Sequence, residues 1–256
     1  MRHSPFTAIF DACVLYPAPL RDFLMWLGLS GRFRARWSRD IHEEWKRNLL
    51  LNRPDLTRLQ VDRTSDLMDR AIPDGLVDGY DDITAGLILP DPGDRHVLAA
   101  AIRCGASVIV TFNQRDFPAD VLASYGVESQ HPDEFVENLF DLDAAAVAAA
   151  AQRQRAQLKN PPIDVDRYLE ILFRLRLPRL WRLIALFSNG SDVPRTASFF
   201  DSRLRPRHPS FRWLPSAYVN ARRKNGEPHK YWLSVVLMPV TALCLPGRKS
   251  FHSIIN

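Results

Sequence analysis

The chain of 256 residues is 46% hydrophobic and 25% charged, which is ordinary globular usage and excludes a wholly disordered chain. Its net charge of +5 conceals two halves of opposite sign: residues 1–150 carry 15 Lys and Arg against 23 Asp and Glu, a net of −8, and residues 151–256 carry 19 against 6, a net of +13. Three cysteines at no metal-binding spacing (Cys13, Cys104 and Cys244) argue against both a disulfide framework and a zinc site.

Met1 to Thr7 lead straight into an apolar segment without the charged, apolar and small-residue regions of a secretory signal. No run of 18 apolar residues exists, so no membrane span is expected and the chain reads as cytoplasmic. Ala8 to Phe10 predict a short buried strand, followed by a helix over Leu20 to Leu29 and a second short strand over Phe33 to Trp37. Ser38 is the expected N-cap of a helix from Asp40 to Leu51, and Pro54 is the expected start of the next. The alternating run Ala85 to Leu89 predicts a strand. Arg95 to Cys104 predict a helix closed by Gly105. Val108 to Phe112, β-branched and apolar on both faces, predict an internal strand. A short helix over Ala119 to Tyr125 and a return segment at Val127 follow. Helices are then expected over Pro132 to Leu139, Leu142 to Leu158 and Val165 to Arg174. Strands alternating with helices predict an α/β fold with a mostly parallel sheet.

Four acids fall at informative places. Asp11 follows the first strand, Glu44 lies on an early helix, Asp94 begins a helix, and Asp116 follows the best strand. In a parallel sheet the C-terminal strand ends share one rim where ligands bind. Carboxylates gathered there repel one another unless a divalent cation neutralises them, and an all-oxygen set favours Mg²⁺ or Mn²⁺ over zinc. Each position also has an ordinary reading. Asp11 would pass as a turn former, Asp94 as an N-cap, and Glu43-Glu44 as a solvated helix face. Adjacent helix positions point about 100° apart, so only one of Glu43 and Glu44 can face a cluster. Glu44 is favoured because Ile41 and Trp45 would form a buried stripe beside it. Cys13 reads as a small core residue.

Four segments occur in order: Phe10-Asp11-Ala12-Cys13-Val14-Leu15, Glu43-Glu44-Trp45-Lys46-Arg47-Asn48-Leu49, Asp91-Pro92-Gly93-Asp94-Arg95-His96-Val97-Leu98-Ala99-Ala100-Ala101, and Val110-Thr111-Phe112-Asn113-Gln114-Arg115-Asp116-Phe117. Together they resemble the PIN-domain family, including the VapC-type toxins of bacterial toxin–antitoxin pairs, over residues 6–140. The resemblance implies an α/β/α sandwich and an Mg²⁺-dependent (or Mn²⁺-dependent) ribonuclease. Its catalytic acids fall on Asp11, Glu44, Asp94 and Asp116, with Asp11, Asp94 and Asp116 as the metal ligands. Asp91 is then a neighbour that holds an outer-shell water, and Thr111 and Asn113 orient the last loop. Arg95 and Arg115 sit beside the carboxylates and could position RNA phosphates. His96 could do so too, but reads equally as a half-exposed helix residue. The implied partners are RNA and a protein antitoxin, and dimers are common in the resembled family.

The domains expected are a nuclease unit at 6–140, a helical extension at 141–173 and a basic tail at 174–256. The tail holds 15 Lys and Arg, three acids and eight prolines, and its hydrophobic periodicity fades. It stands open between a basic arm that adds phosphate contacts, a disordered appendage, and the product of a shifted reading frame. Three functional classes are in play: a ribonuclease toxin, a PIN-type nuclease of RNA processing or DNA repair without an antitoxin, and a non-catalytic RNA-binding module. The presence of all four acids disfavours the last.

Overall fold

The computed structural model describes residues 6–159, 162–175 and 177–188, so most of the segment read as a basic tail lies outside the described residues. Five strands form one parallel sheet: β1 (Thr7–Phe10), β2 (Arg34–Ser38), β3 (Leu76–Val77), β4 (Val108–Val110) and β5 (Glu128–Gln130). Their spatial order is β3-β2-β1-β4-β5. Ile9 aligns with Arg36 on one side and with Ile109 on the other. β1 and β4 are buried along their whole length, as strands covered on both faces must be.

Helices α1 (Ala12–Leu15) and α2 (Ala18–Gly28) follow β1, and α3 (Arg39–Asn52) follows β2. Ser38 caps α3 by accepting from the Ile41 amide at 3.2 Å. Helix α4 (Arg58–Ala71) begins four residues later than Pro54 suggests. The deciding signal is a capping box, in which the Gln60 side chain accepts from the Thr57 amide at 2.8 Å and the Thr57 hydroxyl accepts from the Gln60 amide. The alternation at residues 85–89 does not make a strand. Leu87 and Leu89 are buried and Ile88 is 80% exposed, but Leu76 and Val77 already hold the edge beside β2. A short helix, α5 (Asp81–Thr84), precedes this loop.

Helix α6 (Arg95–Cys104) closes at Gly105, whose φ of 61° is a left-handed C-cap that glycine adopts without steric cost. α7 (Ala119–Ala123) leads into β5, and α8 (Pro132–Gln157) merges the two helices expected over 132–158. A kink at Asp143 marks their junction. Its side chain caps the second half through the Ala146 amide at 3.0 Å and pairs with Arg32 at 2.5 Å. α8 is anchored to the sheet layer through Phe135, whose ring meets Phe6, Phe10 and Phe33 at centroid distances of 5.1–6.3 Å.

Helices α9 (Val165–Arg174) and α10 (Pro178–Ser188) complete the described chain. Gln154 of α8 donates to the Pro19 carbonyl at 2.7 Å and accepts from the Tyr168 hydroxyl at 2.6 Å, tying α2, α8 and α9 together. α10 lies within the segment read as tail. Its Leu177–Leu180–Ile184 spacing is helical, and all three side chains are buried. Its first turn is held from another element, because the buried Asp133 carboxylate accepts from the Arg179 and Leu180 amides at 3.0–3.1 Å. Among the described residues no helix is long and apolar enough to cross a membrane.

Candidate metal centre

The strand order reverses direction between β1 and β4, and it is there that a crevice opens at the carboxyl ends of the strands. Asp11 stands at the end of β1, with its own amide donating to the Val110 carbonyl at 3.1 Å. It is 4% exposed. The Thr111 hydroxyl and the Cys13 thiol both donate to its Oδ2, at 2.7 and 3.0 Å. Burial pushes the Asp11 carboxyl above its ordinary pKa; these two hydrogen bonds pull it back, and Glu44 adds a further upward push.

Asp91 and Asp94 sit three residues apart but are used differently. Asp91 caps the short turn before α6, its Oδ1 accepting from the Gly93 amide at 2.7 Å. Asp94 occupies the N-cap position of α6 yet makes no capping hydrogen bond, and its Oδ2 is buried without a partner. That removes the ordinary reading of Asp94 as a simple cap. One oxygen each from Asp91, Asp94 and Asp116 lie within 4.8 Å of one another. Asp116 is held by the Asn113 side chain, which donates to its Oδ2. The trio therefore brings Asp91 alongside Asp94 and Asp116, with Asp11 and Glu44 close enough to act on Asp94 through space.

The charge crowding is visible at Asp94. Burial first, then the negative charges of Asp11, Asp116, Asp91 and Glu44, raise its carboxyl from 3.8 to about 7. An acid whose pKa is raised on folding binds more protons folded than unfolded. Stability is then present below about pH 4 and is lost as pH rises through about 7. In EDTA, wild type is expected to melt lower at pH 8 than at pH 6, and Asp94→Asn to flatten that dependence and melt higher at pH 8. Differential scanning fluorimetry across pH reads this directly. An Asp94→Asn curve that falls as steeply as the wild-type curve would remove Asp94 as its source.

Helix α3 settles which of the two adjacent glutamates faces the crevice. Ile41, His42, Trp45 and Leu49 are buried and fix which face of the helix points inward, with Trp45 Nε1 donating to His42 Nδ1 at 3.0 Å within it. Asp69 of α4 meets His42 Nε2 at 3.1 Å and accepts from Trp37 Nε1 at 2.7 Å. Glu43 is drawn away by Lys46 at 2.6 Å and Arg58 at 2.7 Å, and the Lys46 ammonium holds its carboxyl below the ordinary value. Glu44 turns inward, 3.3 Å from His96 Nε2. His96 is thus a polar partner of Glu44 and not a bystander. Burial works against its charged form, but Glu44 outweighs this and raises the imidazole above its usual pKa. Buried Arg21 braces the same corner, donating to the Leu15 carbonyl at 2.7 Å with its guanidinium 4.8 Å from the Trp45 ring centre.

Arg95 and Arg115 flank the acids; Arg115 is exposed, and Arg95 has a buried Nε without a partner. The residues present suit a hard cation. Every donor is oxygen, one buried carboxylate oxygen is orphaned, and the trio spans little more than the ~4 Å between opposite ligands of an octahedral Mg²⁺ site.

A family model described as "PIN domain" matches residues 7–115, the segment that runs from β1 to the loop carrying Asp116. Over this stretch the chain matches the PIN-domain family. The five-stranded parallel sheet flanked by helices is the PIN-like α/β/α architecture expected. A second model, "VapC50 C-terminal domain", matches residues 132–185, which reaches from the start of α8 into α10. A curated relative from Mycobacterium tuberculosis (strain ATCC 25618 / H37Rv), named "Putative ribonuclease VapC50", is 38% identical over 94 residues, which is 37% of this chain and 55% of the relative. The chain thus spans about half the length of the curated relative it matches. No solved structure matches the chain.

Two residues of the PIN domain's crevice escaped the sequence reading in part. Asp91 joins the tight trio, and the only sequence signal for it was its place three residues before Asp94. Cys13 touches Asp11, yet nothing in a Cys-Val-Leu run separates it from a core thiol.

Proposed function

We propose that the protein is a metal-dependent endoribonuclease and the toxin of a toxin–antitoxin pair, with RNA as substrate and a protein antitoxin as partner. The observation that carries the metal-dependent reading is the orphaned, buried Asp94 Oδ2 inside a crowd of four further carboxylates. The PIN domain, the VapC50 C-terminal domain match and the name of the relative support the ribonuclease and toxin assignments.

Asp94 and Asp116, with Asp91 beside them and the free oxygen of Asp11, would hold a divalent cation, Mg²⁺ or Mn²⁺, and Glu44 would complete the negative wall of the crevice. When bound, the ion supplies Lewis-acid activation of water and steadies the charge on the phosphodiester. The chain's own residues do the rest. Thr111 and Asn113 orient Asp11 and Asp116, His96 positions Glu44, and Arg95 and Arg115 take RNA phosphates at the rim.

Induced expression of wild type beside Asp94→Asn, with growth followed and cellular RNA inspected, tests the reading. Wild type should arrest growth and fragment RNA, and the variant should do neither. Purified protein should stop cleaving in EDTA and recover with Mg²⁺ or Mn²⁺; undiminished cleavage in EDTA would sink the metal reading. Relief of growth arrest by a co-expressed product of a small adjacent gene would mark the antitoxin.

The glutamate pair gives a sharper test. Glu44→Gln is expected to cripple cleavage, while Glu43→Gln leaves it near wild type, because Glu43 faces Lys46 and Arg58. Equal losses in the two variants, with both proteins folded, would reject the orientation of α3.

A further inference from the structure

We propose that Cys13 is a positioning residue of the site: its thiol fixes which oxygen of Asp11 is left free to face the cation. This rests on the metal-dependent reading above.

The backbone amides fix part of the hydrogen-bond pattern. The Phe112 amide lies 3.2 Å from Cys13 Sγ and has only a proton to give, so the sulfur accepts it. The Asn113 amide likewise donates to Thr111 Oγ1 at 2.9 Å. Each side chain then has its own hydrogen to pass on, and both face the same atom: Cys13 Sγ is 3.0 Å and Thr111 Oγ1 2.7 Å from Asp11 Oδ2. The two side chains are also 3.4 Å apart, within reach of a hydrogen bond in which either could donate, but the Asp11 carboxylate, an acceptor only when ionised, draws the hydrogen of each. Two consecutive amides of the loop after β4 thus reach Asp11 through two parallel relays, one hydroxyl and one thiol.

The consequence is geometric. With two donors on Oδ2, the carboxylate cannot rotate about its Cβ–Cγ bond without losing both, so Oδ1 keeps one direction. The same loop carries Asn113, which holds Asp116. Cys13 therefore helps set the position of Asp11 against Asp116 across the β1–β4 seam. Outer-shell groups of this kind typically change metal affinity by about 10–100-fold when removed. A thiol is a weak donor, and the hydroxyl of Thr111 survives its loss, so the lower end of that range is expected.

The test is Mn²⁺ binding to the full chain by electron paramagnetic resonance, on wild type, Cys13→Ala and Cys13→Ser, with melting temperatures in EDTA alongside. Cys13→Ala should bind Mn²⁺ about ten-fold more weakly. Cys13→Ser, which restores an accepting and donating group, should recover most of the affinity. If Cys13→Ala fails to fold, the Ser variant and Cys13→Val carry the comparison, since Val fills the space without a donor: the same loss in Val, with affinity kept in Ser, supports the role. Cys13→Ala or Val binding Mn²⁺ as tightly as wild type overturns it. So do equal losses in Ser and Ala that track a lower melting temperature, because that pattern belongs to packing. Wild type that binds no Mn²⁺ overturns the metal reading itself, and this inference with it.

Discussion

Asp94→Asn, Asp11→Asn and Asp116→Asn are each expected to reduce RNA cleavage by on the order of 100-fold or more while leaving the far-ultraviolet spectrum unchanged. On the proposed mechanism the ion contributes several kcal/mol to charge stabilisation, and each 1.36 kcal/mol is worth about ten-fold in rate. Asp94 should give the largest loss, since its Oδ2 is buried, unpartnered and nearest in effect to every other acid. Asp11→Asn carries a second cost, because an amide at this 4%-exposed position turns donor or acceptor differently toward Cys13 and Thr111. Single-turnover cleavage of a short RNA at saturating Mn²⁺ separates lost chemistry from lost metal affinity. Full activity in any two of the three variants would show that the site lies elsewhere.

Cutting the chain after residue 173 is expected to destabilise the fold severely, because α10 is lost. Without it, Asp133 keeps its buried position but loses the Arg179 and Leu180 amides, and the faces that bury Leu177, Leu180 and Ile184 are opened to water. The point variant Asp133→Ala isolates the first effect: loss of a charged cap on two amides should cost about 2 kcal/mol. In a protein of this size that is about 4–8 °C in melting temperature. A 1–173 fragment that melts with the full chain would show α10 to be dispensable.

Much of this architecture can be read from residues alone because strand ends in a parallel sheet converge. Asp11 and Asp116 follow the two most apolar strands, and those strands turn out to be neighbours at the reversal of strand order. What could not be read is whatever depends on a partner distant in sequence. The Ile41 and Trp45 stripe favours Glu44 over Glu43, but nothing on a helical wheel shows that Arg58, 15 residues on, claims Glu43. Residues 85–89 alternate like a strand, but pairing depends on which segment reaches the β2 edge first. α10 hides within an acid-poor, basic composition that masks a regular apolar spacing. Cys13 is the extreme case: its neighbours on the chain are Ala12 and Val14, while those that give it a role lie 98 and 99 residues away.

That separation bears on when the protein can become active. β1 is made first, but it pairs with β4 only after about 100 further residues have been synthesised, and the Thr111–Asp11 hydrogen bond spans 100 positions. Closing so long a loop is entropically costly and among the slower events of folding. A growing chain that has exposed only β1, β2 and their helices holds Asp11 and Glu44 without Asp94, Asp116 or the loop that aligns them. The crevice therefore cannot assemble before residue 116 of the 256 has been made. On the proposed reading, a nuclease built this way has no complete site until nearly half of its 256 residues have been made, and an antitoxin need act only after that point.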